Sequence, residues 1–173
     1  MKLCTSIATL ALVAFSGNAL GTNSADLEQI GSGNSANSNQ TGAGFGNTII
    51  KHQVGDTNTV TATQSGGVIN SSILGTQIGN QNESTISQSG GASLSATNTQ
   101  IGSQNTSEIT QELSIDSQVS ILQLGTSNAS NIEQRFGSGN SLTNIQNGES
   151  HFFIGRQEAS TNGSIFVFQD GER

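Results

Sequence analysis

The sequence predicts an all-β fold, a β-solenoid of six to seven stacked strand–turn–strand repeats of 23–24 residues. Three observations predict it: glutamine recurs in two registered series, glycine follows one series at a fixed offset, and apolar and polar residues alternate between them with period two. The first series is Gln29, Gln53, Gln77, Gln100, Gln123, Gln146 and Gln169, with spacings of 24, 24, 23, 23, 23 and 23. The second is Gln40, Gln64, Gln88, Gln111, Gln134 and Gln157, with the same succession of spacings. Two residues after each member of the first series comes Gly31, Gly55, Gly79, Gly102, Gly125, Gly148 or Gly171. Five residues after come Asn34, Asn58, Asn82, Asn105 and Asn128, and then His151 breaks the column.

Taken in order, the unit from Gln29 is the weakest, because its Lys51 falls on the inward parity and predicts a bulge or a frayed rung. The unit from Gln53 is regular. In the third unit Asn82, Ser84, Ile86 and Gln88 share one parity, while Glu83, Thr85 and Ser87 share the other. The fourth and fifth units repeat this with Asn105, Ser107, Ile109, Gln111 and with Asn128, Ser130, Ile132, Gln134. The return strands read Leu94, Ala96, Asn98, Gln100 and Ser117, Val119, Ile121, Gln123. Ser65-Gly66-Gly67 and Ser89-Gly90-Gly91 supply corners between them. The last full unit, from Gln146, carries His151, Phe152 and Phe153, and a partial one begins at Gln169. Phe152, Phe153, Phe166 and Phe168 are expected to cap or join the terminal rung.

Stacking explains why polar residues repeat. A buried amide without partners costs about 1–3 kcal/mol, whereas identical amides one rung apart supply each other with a donor and an acceptor. Proline would delete a rung's N–H, and the chain has none. Acidic residues are largely staggered across columns: Glu112 and Glu158 are two rungs apart and Asp56 and Glu149 four, and Glu149 and Glu172 alone are one repeat apart.

Bulk composition agrees without deciding. Only 31% of residues are apolar and 4% aromatic, too little for an ordinary core. Charged residues are only 10%, an amide- and hydroxyl-rich profile that by itself fits disorder as well as cross-β stacking. Residues 1–19 read as an export signal: Lys2, an apolar stretch from Leu3 to Phe15, and small residues at Gly17 and Ala19. Residues 20–28 then form a short leader and 29–173 the repeat domain. Cleavage after Ala19 would discard Cys4, the only cysteine, and leave four basic residues against twelve acidic ones, a charge of −8. No basic stripe exists, so nucleic acid is not an expected partner.

The repeat resembles the curlin repeat of bacterial curli fibres, Q-x-G-x-x-N-x-A-x-x-x-Q. Gln53-Val54-Gly55-Asp56-Thr57-Asn58 through Gln64 fits it, as do 77–88, 100–111 and 123–134. Ala36 matches the family's alanine, and Val60, Ser84, Ser107 and Ser130 stand there in other units. The resemblance implies a secreted, amyloid-forming subunit of an extracellular fibre at the cell surface, a fimbrium of the biofilm matrix used in adhesion. Implied partners are the chain itself as a homopolymer, a companion curlin subunit, an outer-membrane secretion channel and periplasmic chaperones. Major and nucleator subunits share the motif; the uniform middle favours the major one. The family's longer leader segment has only Leu20–Glu28 as a counterpart.

Other signals are weaker. Asn39-Gln40-Thr41, Asn82-Glu83-Ser84, Asn105-Thr106-Ser107 and Asn128-Ala129-Ser130 match glycosylation sequons, as an Asn/Ser-rich repeat does by composition. Gly31-Ser32-Gly33 and Gly42-Ala43-Gly44 lack the Lys-Ser/Thr of a phosphate loop. His52 and His151 lie 99 residues apart without cysteine, so no metal, cofactor or catalytic residue is expected. A rival of another class is an ice-binding solenoid with Thr59, Thr61 and Thr63 as its outward row, which Glu83, Asn131 and Glu133 interrupt. An adhesin solenoid is a further alternative.

Overall fold

The computed structural model describes residues 12–16 and 23–171, the first of these as a strand only. The chain runs through β1 (Leu12–Ser16), β2 (Ser24–Ile30), β3 (Ser35–Thr41), β4 (Thr48–Asp56), β5 (Thr59–Ser65), β6 (Ser72–Asn80) and β7 (Glu83–Ala92). It continues through β8 (Ser95–Ser103), β9 (Thr106–Ile115), β10 (Gln118–Thr126), β11 (Ala129–Arg135), β12 (Ser141–Glu149), β13 (Phe152–Glu158) and β14 (Ser164–Gly171). Odd strands stack into one parallel sheet and even strands into another, each of seven strands. The result is a β-solenoid of about six turns, as the sequence predicts.

Register follows the glutamines: Gln53 pairs with Gln77, Gln100 with Gln123, and Gln88 with Gln111. Because strands one rung apart sit ~4.8 Å from each other, a like residue recurs above itself at each step. Between the sheets lies a thin apolar core. Ile49, Ile73, Ala96, Val119 and Leu142 line the even strands, opposite Ala62, Ile86, Ile109 and Ile132 of the odd ones. Strand alternation produces this, since burial along β5 and β11 switches at every residue.

Two local features differ from the sequence reading. The unit with Lys51 neither bulges nor frays: β4 pairs without interruption to β2 and β6, and Lys51 is fully buried. Its stem crosses to the odd sheet, where Nζ bonds the Asn37 carbonyl. The segment taken as a short leader is in strand β2 from Ser24 onward, paired to β4. The four late phenylalanines do join the terminal strands, Phe152 and Phe153 on β13 and Phe166 and Phe168 on β14, and Phe153 packs against the core, where Gly155 leaves room for its ring. Phe152, Phe166 and Phe168 project outward. Most of the expected export signal lies outside the described residues; only Leu12–Ser16 is described, as a strand on β3.

Candidate functional site

The candidate site is the set of polar columns that run the length of the solenoid, together with the strand edges where they stop. In the even sheet each glutamine Nε2 donates to the Oε1 of the next, from Gln29 through Gln53, Gln77, Gln100, Gln123 and Gln146 to Gln169, at 2.6–2.9 Å. In the odd sheet Gln40, Gln64, Gln88, Gln111, Gln134 and Gln157 do the same at 2.7–3.0 Å. Every donation points toward the C-terminal rung. The two columns are therefore directional.

The second N–H of each amide has a different task. Gln77 Nε2 donates to the Thr59 carbonyl at 3.0 Å and Gln123 Nε2 to that of Thr106 at 3.0 Å, both on the opposite sheet. Gln88 and Gln134 reach back to the carbonyls of Ser72 and Gln118. The glutamines between the end rungs thus tie their own rung to the next and one side of the coil to the other. A shorter or charged side chain does neither.

The asparagine column works mainly through backbone. Asn82, Asn105 and Asn128 each donate an amide N–H to the Oδ1 of the asparagine below, at 3.1 Å. Their Nδ2 groups donate upward to the carbonyls of Gly102, Gly125 and Gly148 at 3.0 Å. These side chains stand in for ladder bonds where the chain leaves one sheet for the other. Glycine is needed there for two reasons: Gly102 has φ +123, and a Cβ on it would lie 2.0 Å from the Gly125 oxygen. Gly31, Gly55, Gly79, Gly125 and Gly148 meet the same obstacle, and Gly171 shares the conformation.

His151 continues the column that it breaks in sequence. Its backbone N–H donates to Asn128 Oδ1, and its Nε2 lies 3.0 Å from both the Asn147 and the Gly171 carbonyls. Asn128 makes the equivalent pair, to Leu124 and Gly148. Two carbonyl acceptors fix Nε2 as the protonated nitrogen.

Sequence reasoning missed a second polar column at the opposite corner. Asn23 Oδ1 accepts from the Asn47 N–H, Asn47 Oδ1 from Ser71, and Asn140 Oδ1 from Gly163. The spacing of Asn23 and Asn47, 24 residues, was a legible signal, but Ser71, Leu94 and Ser117 then dilute the column. Cross-core pairs were also missed: Asn98 donates to Ser84 Oγ at 2.8 Å and Asn144 to Ser130 Oγ at 2.9 Å. Lys51 Nζ bonds the Asn37 carbonyl and lies 3.5 Å from that of Val60, and it forms no ion pair among the described residues. Burial lowers its pKa from 10.5 to about 7.

On the outer surface opposite charges alternate where columns carry them. Arg135 sits between Glu112 and Glu158 in register, and Glu133 lies beside Arg156 at 3.2 Å. Among the described residues there is no cluster of side chains able to hold a metal ion. Thr59, Thr61 and Thr63 do face outward, but Thr59 pairs with Glu83, as the broken row predicted.

The ends differ from the middle. Gln40 Oε1 is buried and has no hydrogen-bond partner, because β1 places Phe15 rather than an amide in that column. At the other end Gln157 accepts from Gln134, while its own Nε2 donates to no described residue. The first rung presents acceptors and the last presents donors. No family model matches the chain, and no curated protein matches it.

Proposed function

We propose that this chain is a structural subunit of an extracellular, curli-type fibre, exported and then polymerised by strand addition. The observation that carries the reading is the mismatch of ends: an unpartnered acceptor at Gln40 Oε1 and an unused donor at Gln157 Nε2. A second copy stacked head to tail sets a donating end of the columns against an accepting one; with seven even strands and six odd ones once β1 is gone, it continues the even column from Gln169 to the next Gln29 and leaves one odd-strand position between Gln157 and the next Gln40. Head-to-head stacking would set acceptor against acceptor. Joints of this heterologous kind do not close, so they generate a filament. Removal of residues 1–19 as an export signal would take away β1 and open the β3 edge for that addition. A companion subunit, a secretion channel and periplasmic chaperones are the partners this reading entails, and it assigns no catalysis.

The experiment is incubation of the chain lacking residues 1–19. Thioflavin-positive fibres with a meridional reflection near 4.8 Å are expected, and Gln64→Ala or Gln134→Ala lengthens the lag. A chain that stays soluble, or one whose kinetics neither change alters, overturns the proposal.

A further inference from the structure

The two sheets differ on their outer faces. On the even sheet Ile30, Val54, Ile78, Ile101 and Leu124 form one outward column in register over β2 to β10. At β10 the apolar line gains a neighbouring column, and Leu122, Ile145 and Phe168 carry it to β14. Ile78 and Ile101 are each 39% exposed, Ile30 54% and Phe168 57%. Between Ser72 and Asn147 no outward position of β6, β8, β10 or β12 is charged. The odd sheet instead shows Glu83, Glu108, Glu133, Arg135 and Arg156 outward.

From this we infer that the even sheet is an interface, and that its occupant is the even sheet of a second copy of this chain. Size supports it. Seven strands ~4.8 Å apart, each spanning ~25 Å, give a face of about 800 Å², which is what one partner buries in a stable protein pair. The apolar side chains take one or two outward positions per strand of that face, among hydroxyls, with Asp26, Glu28 and Asp170 outward on the end strands. Self-pairing also matches the geometry: a flat ladder of rungs at one spacing is met best by another ladder at the same spacing. The two sheets then pack ~10 Å apart about a two-fold axis. The charged odd faces remain outside, in solvent. This inference concerns lateral pairing and stands whether or not copies also join end to end.

The test compares Ile78→Lys/Ile101→Lys with Thr85→Lys/Thr110→Lys, which adds the same charge to the odd face. Sedimentation equilibrium of the soluble chain without residues 1–19 and the width of any filaments by electron microscopy are the readouts. The unsubstituted chain is expected to pair in solution and to give filaments two solenoids wide. The even-face substitution weakens pairing tenfold or more and halves filament width, while the odd-face one leaves both unchanged. Ile78→Thr/Ile101→Thr, which keeps β-branched residues at both positions, shows the same loss and guards against misfolding of the lysine variant. A single-chain mass together with filaments one solenoid wide would overturn the inference, as would equal effects from the two faces. If no filaments form at all, the fibre proposal fails and the solution mass alone decides lateral pairing.

Discussion

Inside, the two sheets are nearly interchangeable; outside, they have little in common. Each carries an unbroken glutamine column pointing toward the C-terminal rung, and each faces the other across the same thin core. Outward, the even sheet carries an apolar column among hydroxyls, with acids only on its end strands, while the odd sheet is hydroxyl-rich and charged along its middle and exposes Phe152 and Ile154 at its end. The contrast separates two demands on one repeat. Interior columns must match because a buried amide is satisfied only by a like neighbour, whereas exterior columns are free to vary rung by rung with whatever surface they meet.

Changes at the arches, which belong to both sheets, should have the largest effect. Gly102→Ala forces a Cβ against the Gly125 oxygen at positive φ and is expected to cost about 4 kcal/mol. Urea unfolding should show both halves of the solenoid weakened together. Next come the ladders. Gln100→Ala and Gln111→Ala each leave a donor, an acceptor and a cavity behind, and should cost about 3 kcal/mol apiece. Near-equal losses would support equivalence of the two interiors; a large inequality in the unfolding midpoints would break it.

Lys51 is where the interiors do differ. Its folded pKa is lowered by burial to about 7 from 10.5, so between those values the unfolded chain binds a proton that the folded chain has released. Stability therefore rises with pH across that window and is lowest, with the whole burial penalty present, below pH 7. Lys51→Met should remove this slope and stabilise the fold at pH 6 by about 2 kcal/mol. Unfolding midpoints measured at pH 6 and pH 10 check it, and an unchanged slope would contradict the account. The smallest effect is expected at the end of the odd sheet. His151→Asn restores the residue whose bonds the imidazole already reproduces, and should move stability by no more than about 0.5 kcal/mol. A larger change in thermal midpoint would mean that the ring does something asparagine cannot.

Much of this architecture was legible. The glutamine, glycine and asparagine columns are each a direct statement of register, and β7, β9 and β11 follow the parity read from Asn82, Asn105 and Asn128. The exceptions share a cause. Lys51 reads as a disruption because parity gives the direction of a side chain but not the partners it meets, here the Asn37 and Val60 carbonyls of the odd sheet. His151 was read as a break because a letter code does not show that an imidazole nitrogen can reach the same two carbonyls as a carboxamide. The column from Asn23 to Gly163 was missed because serine and leucine interrupt it, although the backbone there keeps one path.

The sequence by itself determined the repeat length, the facing of each strand and the pairing of like residues, since periodic burial and amide satisfaction are one-dimensional constraints. Tertiary structure alone decided the direction of the amide columns, the bonds that lock one sheet to the other, and the division of the surface into a face with an apolar column and one charged along its middle. Those depend on which groups come within hydrogen-bonding distance across a rung, and that distance is set only when the chain has turned both corners.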